Sequence, residues 1–165
     1  MMEAKAVDFL SRRRVMSIAT LRPDGWPQNT MVSYANDGLL IYFLISRSSQ
    51  KLANIRRDDR VSIAIGEAFD DPHEVSGLSL AARASELVDG AQRERAFELL
   101  WARHPELNRF RRPDPTKAAL MRANPELITI IDYSAEFGHA DIVRVGGGVT
   151  TMDPARPDDW GLNPT

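Results

Sequence analysis

Polar and apolar positions alternate with a period of two over residues 15–21, where Met16, Ile18 and Thr20 oppose Ser17 and Ala19. That spacing predicts a strand. Pro23-Asp24-Gly25 predicts a turn, because proline presets φ and glycine accepts positive φ. A second strand is expected over 27–35, followed by Asn36-Asp37-Gly38, a turn of hairpin type. Leu39–Ser46 is almost wholly apolar and short, the pattern of a strand covered on both faces. Ser48–Arg57 predicts a helix with serines near its start and Leu52 and Ile55 on one side, which Asp58-Asp59 ends. Val61, Ile63 and Ile65 mark a fourth strand over 60–66, Glu67–His73 an acidic loop, and 75–88 a longer strand poor in large side chains.

The N-terminal stretch 3–13 predicts a helix with Ala6, Val7 and Leu10 on one face. Ala91–Arg103 is the clearest helix, with Ala96, Phe97, Leu100 and Trp101 together. A loop follows over 105–115, then a short helix over 116–122 capped by Asp114 or Thr116. Strands over 127–133 and 140–145 close the pattern. The tally is about six strands interrupted by helices, joined by hairpin-sized turns that cannot connect parallel neighbours. The expected fold class is therefore mainly β or α+β: an antiparallel barrel with peripheral helices. Residues 1–150 are expected to form one domain, and 151–165, rich in glycine and proline from Gly146 onward, a loosely structured tail.

Composition narrows the chemistry. The chain has 165 residues, enough for one core without staples, and no cysteine, which excludes disulfides, thiolate metal sites and cysteine nucleophiles. A net charge of −2 argues against a dedicated nucleic-acid binder. Neither a signal-like N-terminus nor a membrane-length apolar run is present, and the reading is a cytoplasmic protein with no membrane partner.

One unit carries candidate chemistry. The apolar strand ends at Ser46, and Arg47, Ser48, Ser49, Gln50 and Lys51 open a helix. Helix-start amides and the positive end of the dipole favour an anion, serine hydroxyls donate, and Arg47 and Lys51 add charge. The segment reads equally as a phosphomonoester clamp and as an ordinary N-capped surface helix.

The wider run, IATLRPDGWPQNTMVSYANDGLLIYFLISRSSQKLANIRRDDRVSIAI, resembles the flavin-binding core of the pyridoxamine-phosphate-oxidase-like family. The matching order is Ala19-Thr20, Asp24-Gly25 and Pro27, then Met31-Val32, Asp37-Gly38 and Ile41-Tyr42-Phe43, then Ser48-x-x-Lys51-x-x-Asn54 and Arg60-Val61-Ser62. The resemblance implies a six-stranded split β-barrel that dimerises and holds FMN at the subunit interface. It implies that Thr30, Met31, Val32 and Ser33 lie along the flavin ring. Tyr42 and Phe43 would stand beside the ring and ribityl chain, with core packing as their other reading. Arg47, Ser48, Ser49, Gln50 and Lys51 would hold the phosphate, with Asn54 supporting the turn. The namesake's Arg-x-His substrate segment is absent from the C-terminus, so its substrate is not implied. The resemblance thus implies an FMN-dependent oxidoreductase acting on an unknown small molecule with a donor such as NAD(P)H. The alternatives are a non-catalytic or stress-associated flavin-binding protein, and the same fold holding a deazaflavin or haem. No catalytic acid, base or nucleophile stands out.

The remaining candidates read more plainly. His139 is expected to be a turn histidine satisfied by backbone, with an approach to the flavin as its other reading. His73 lacks a second histidine at ligand spacing, so no metal site is expected. His104 reads as a cation at a helix C-terminus. Trp101 reads as core and Trp26 as an exposed turn residue; Trp160 in the tail could fold over a partner's flavin. The all-apolar strand 39–45 is expected to need a second subunit over its outer face.

Overall fold

The computed structural model describes residues 2–67, 69–134, 136–146 and 149–153. In chain order the elements are α1 (Met2–Arg12), β1 (Val15–Leu21), β2 (Pro27–Asp37), β3 (Leu40–Ser46), α2 (Gln50–Arg57), β4 (Arg60–Gly66), β5 (Ser76–Glu86), α3 (Gly90–Arg103), β6 (Ala118–Asp132), β7 (Ala140–Gly146) and β8 (Val149–Asp153). All pairings are antiparallel. The order β3-β2-β1-β4-β5-β6 closes on itself through a β3–β6 ladder, giving a six-stranded barrel, and β7 and β8 extend outward from β6. Hairpin turns at Gly25 (φ 85°) and Gly38 (φ 57°) take the left-handed conformations for which glycine is suited.

The barrel interior is filled by the inward-facing half of each strand, including Met16, Ile18, Ile41, Phe43, Ile63, Leu80, Met121 and Ile128. Burial along β4 alternates without exception, as the period of two predicts. A second, smaller core lies outside the barrel. There Tyr42, Ala35 and Leu120 face Ala96, Phe97 and Leu100 of α3. Trp101 packs edge-on against Phe97 at 5.7 Å between ring centroids.

This arrangement corrects two expectations. Strand β3 is apolar on both faces, but its outer face is covered by α3 of the same chain, so it does not call for a second subunit. The segment 116–122 is not a helix. Asp114 accepts from Thr116 N and Oγ1 at 2.7 Å each, closing a turn, and Ala118 then enters β6. Ala118–Arg122 consists of good helix formers, but all of it pairs with β3 and Met121 and Arg122 pair with β5 as well, and pairing overrides propensity. Regular structure also runs further than the pattern indicates, since β8 pairs with β7 beyond Gly146. The remainder of the expected tail, with Trp160, lies outside the described residues. Among the described residues no helix is long and apolar enough to cross a membrane.

Phe43 is fully buried at the barrel centre. Phe43→Ala is expected to cost about 3–5 kcal/mol, the usual penalty for removing a buried aromatic ring. Chemical denaturation would measure it, and a loss below about 1 kcal/mol would show that the ring is not packed as described.

Candidate functional site

The strand β3 delivers Ser46 to the barrel rim, and the chain turns directly into α2. Ser46 Oγ lies 2.9 Å from Ser48 Oγ, and Ser49 Oγ donates to the Ser46 carbonyl at 2.7 Å. Ser49 is the N-cap of α2, its hydroxyl also accepting from Leu52 N at 3.3 Å. These serines therefore build the turn. Helix α2 runs from it with Leu52 and Ile55 buried beneath.

Beside this turn a groove of ≈470 Å³ opens on the barrel surface. One wall is Met31, Val32 and Ser33 of β2, and its floor is Leu44, Ile45 and Ser46 at the end of β3. Ser49 and Lys51 stand at one end. The far wall is Leu100, His104 and Leu107, from the end of α3 and the 3-10 turn Pro105–Arg109. The groove thus combines apolar walls, polar groups at the ends and one cation, as ligand sites commonly do.

Lys51 has no acidic partner and no hydrogen bond among the described residues. Burial alone holds its ammonium below the ordinary value of 10.5. Every other cation of the turn and helix is committed. Arg47 is bound to Glu86 at 2.5 Å and to the Pro115 carbonyl. The Glu86 hydrogen bond raises Arg47's pKa, and Arg47 in turn lowers that of Glu86. Arg56 reaches the same carboxylate at 3.5 Å, and Arg57 donates to the carbonyls of Leu21 and Arg22.

The expected site residues therefore divide. Met31, Val32, Ser33, Ser49 and Lys51 are brought together around the groove. Ser48 and Gln50 are exposed at the turn, and Arg47 is turned to Glu86. Tyr42 and Phe43 face the outer and inner cores respectively, which is their packing reading. Thr30 points inward, opposite Ile18, with its Oγ1 buried and without a hydrogen-bond partner among the described residues.

His104 belongs to the groove, although the pattern marks it only as a cation at a helix end. It is 3% exposed, and its Nε2 donates to the Tyr34 carbonyl at 2.8 Å. Nδ1 lies 3.3 Å from a guanidinium nitrogen of Arg14 and 3.4 Å from Glu106. The available signal was spacing: Phe97, Leu100 and His104 share one helical face. His139 pairs with Asp141 at 3.2 Å, and its backbone N–H donates to the Glu136 carbonyl. No group of three or more potential metal ligands occurs among the described residues.

Comparison with known proteins agrees with the fold. Residues 2–132 match the family described as Pyridoxamine 5'-phosphate oxidase. General stress protein 26 of Bacillus subtilis is 33% identical over 89 residues, which are 52% of this chain and 63% of that protein, so the chain spans less than two thirds of this relative. Among solved structures, conserved hypothetical protein Rv2991 of Mycobacterium tuberculosis is 27% identical with a TM-score of 0.69, covering 81% of this chain and 86% of that one. A heme binding protein of Mycobacterium smegmatis has a TM-score of 0.71 at 21% identity, over 86% of this chain and 56% of that one. A FAD-binding protein of Mesorhizobium loti has a TM-score of 0.59 at 21% identity, over 77% and 90%. At those two identities the likeness speaks for the fold alone.

The lowered Lys51 value has a sign that can be tested. The unfolded chain binds the proton more tightly, so stability rises with pH between the folded-state value and 10.5, and a charged Lys51 is a burden on the empty protein below that window. Lys51→Met is therefore expected to leave the ligand-free protein at least as stable as wild type at pH 7. A clear fall in its thermal midpoint would mean that the ammonium has a partner.

Proposed function

This chain belongs to the pyridoxamine 5'-phosphate oxidase family, and on that premise we propose that it is an FMN-binding flavoprotein working as a flavin-dependent oxidoreductase on a small molecule. The observation that carries the reading is Lys51: a partly buried cation with no partner among the described residues, at the end of an apolar groove, beside a helix start. Such a group has the chemistry of an anchor for a phosphate monoester. The groove's residues fit the rest of the cofactor. Ser33, whose hydroxyl makes no hydrogen bond among the described residues, and the β2 wall offer a polar edge and a flat apolar face. Leu44, Ile45, Leu100 and Leu107 exclude water from the opposite side.

In this reading Lys51 binds the phosphate, and the Ser46–Ser49 turn holds Lys51 in place. Met31–Ser33 orient the ring, and His104, fixed by Tyr34 and facing Arg14 and Glu106, keeps the far wall closed. When bound, the flavin supplies hydride or electron transfer between a donor such as NADPH or NADH and an acceptor. The protein supplies position and a water-poor wall.

A homodimer is part of the proposal on new grounds. The outward residues Ala19 of β1, Ser62 and Ala64 of β4, and Ser79 and Ala81 of β5 make a flat face of small side chains, and Met31 at the groove edge is 69% exposed. A second copy seated there would cover Met31 and narrow the groove.

Haem fits the groove less well. His104 is the one histidine among the described lining residues, and its Nε2 is tied to a carbonyl while Nδ1 faces Arg14 and Glu106. A non-catalytic flavin carrier would share the same binding site and differ only in turnover.

The purified protein is expected to bind FMN and release it unchanged on denaturation. Lys51→Ala should weaken FMN by about 10- to 100-fold, the worth of a charge-assisted hydrogen bond, and leave phosphate-free riboflavin nearly unaffected. Fluorescence titration separates the two. Equal loss of both ligands would remove Lys51 from the phosphate site. Bound flavin that neither NADPH nor NADH reduces would favour the carrier.

A further inference from the structure

We propose that Asn54, which does not line the groove, is the positioning residue that fixes the rotation of α2 and so presents Lys51 to the cofactor phosphate; this rests on the flavin reading above. Helix α2 has eight residues, about two turns, too short to hold its own orientation in water. Leu52 and Ile55 bury it against the barrel, but apolar contacts are non-directional and allow the helix to turn.

Asn54 supplies the direction. Its side chain is fully buried, both amide hydrogens are donated and its oxygen accepts one hydrogen bond. Nδ2 donates to Thr20 Oγ1 at 3.0 Å and to Gln28 Oε1 at 3.1 Å, while Oδ1 accepts from Gln50 Nε2 at 2.9 Å. Thr20 and Gln28 are directly paired across β1 and β2, so one amide ties the helix to both strands of a hairpin. Gln28 lies on the same face of β2 as Thr30 and Val32, and the strand continues into the Met31–Ser33 wall of the groove. Arg57, three residues on, donates to the Leu21 and Arg22 carbonyls of the same hairpin.

The second half of α2 is thus pinned at 54 and 57, and the first turn projects from that anchor. Lys51 is one turn before Asn54 and lies near the same face. The backbone link Ser46–Ser49 fixes where the helix starts, and Asn54 fixes how it is turned. Deleting the Asn54 amide frees the rotation and leaves Thr20 and Gln28 without their buried partner.

The test compares FMN with riboflavin, which differ only in the phosphate, across Asn54→Ala, Thr20→Val, Thr20→Ser and Ile55→Val. Asn54→Ala and Thr20→Val are expected to weaken FMN about ten-fold and riboflavin less than two-fold. Thr20→Ser keeps the acceptor and should keep the wild-type preference, although it leaves a cavity that near-isosteric valine does not. A purely structural role gives the opposite order for the two Thr20 variants. Ile55→Val should lower the thermal midpoint without changing the preference. A second readout needs no ligand. The chain has three lysines, and NMR titration of Lys51 in Asn54→Ala should move its pKa back toward the ordinary value. An unchanged FMN preference in Asn54→Ala and Thr20→Val, with an unchanged Lys51 titration, overturns the proposal. If the wild type itself shows no preference for FMN, the flavin reading falls, and the Lys51 titration alone decides the role of Asn54.

Discussion

Closure of the sheet depends on β6 pairing with β3. Residues 118–123 of β6 face Ile41–Ser46 of β3, and without that ladder the first six strands would be an open sheet with two exposed edges. Closure places the end of β3 at the barrel rim, with β2 on one side and β6 on the other. Arg47 N donates to the Lys117 carbonyl at 2.9 Å as the chain leaves the ladder, so the turn into α2 begins from a fixed point. The serine turn, the helix and the groove are built outward from that point. The same ladder leaves the outer face of β3 turned outward, where α3 covers it and brings Leu100 and His104 to the groove.

Much of the barrel was legible because its first four strands are local. Period-two alternation in β1 and β4, the short apolar run of β3 and two glycine turns mark β1 to β4 without reference to the rest of the chain. Local pattern fails where partners are distant. Ala118–Arg122 has a helical composition, and its strand state comes from β3 and β5, about 75 and 35 residues earlier, which no local pattern records. The outer face of β3 was misread for a related reason: its cover, α3, is separated from it in sequence.

The site divides along the same line. Met31–Ser33 and Ser49–Lys51 lie close in sequence and carried a recognisable order. Arg47 could not be separated from Lys51 by residue type, because the difference is Glu86, placed by β5. A cation that meets a carboxylate holds structure together, and one that does not is available to a ligand. His104 was missed as a wall residue because its surroundings, Tyr34, Arg14 and Glu106, come from three separate parts of the chain.

Pro125 marks a further division within β6. It sits at the irregularity opposite Ala81 and Ala82, where the strand leaves its pairing with β3 and takes up β7 instead. A proline has no N–H to give to a neighbour, so it suits a position where one partner has ended and the next has not begun. The β3–β6 ladder that closes the ring is therefore complete before Pro125, while pairing with β5 continues from Leu127 to Asp132 as β7 joins the other edge. A change in the sequence after Pro125 therefore still reaches the barrel interior, through Ile128 and Ile130, but not the seam that closes it.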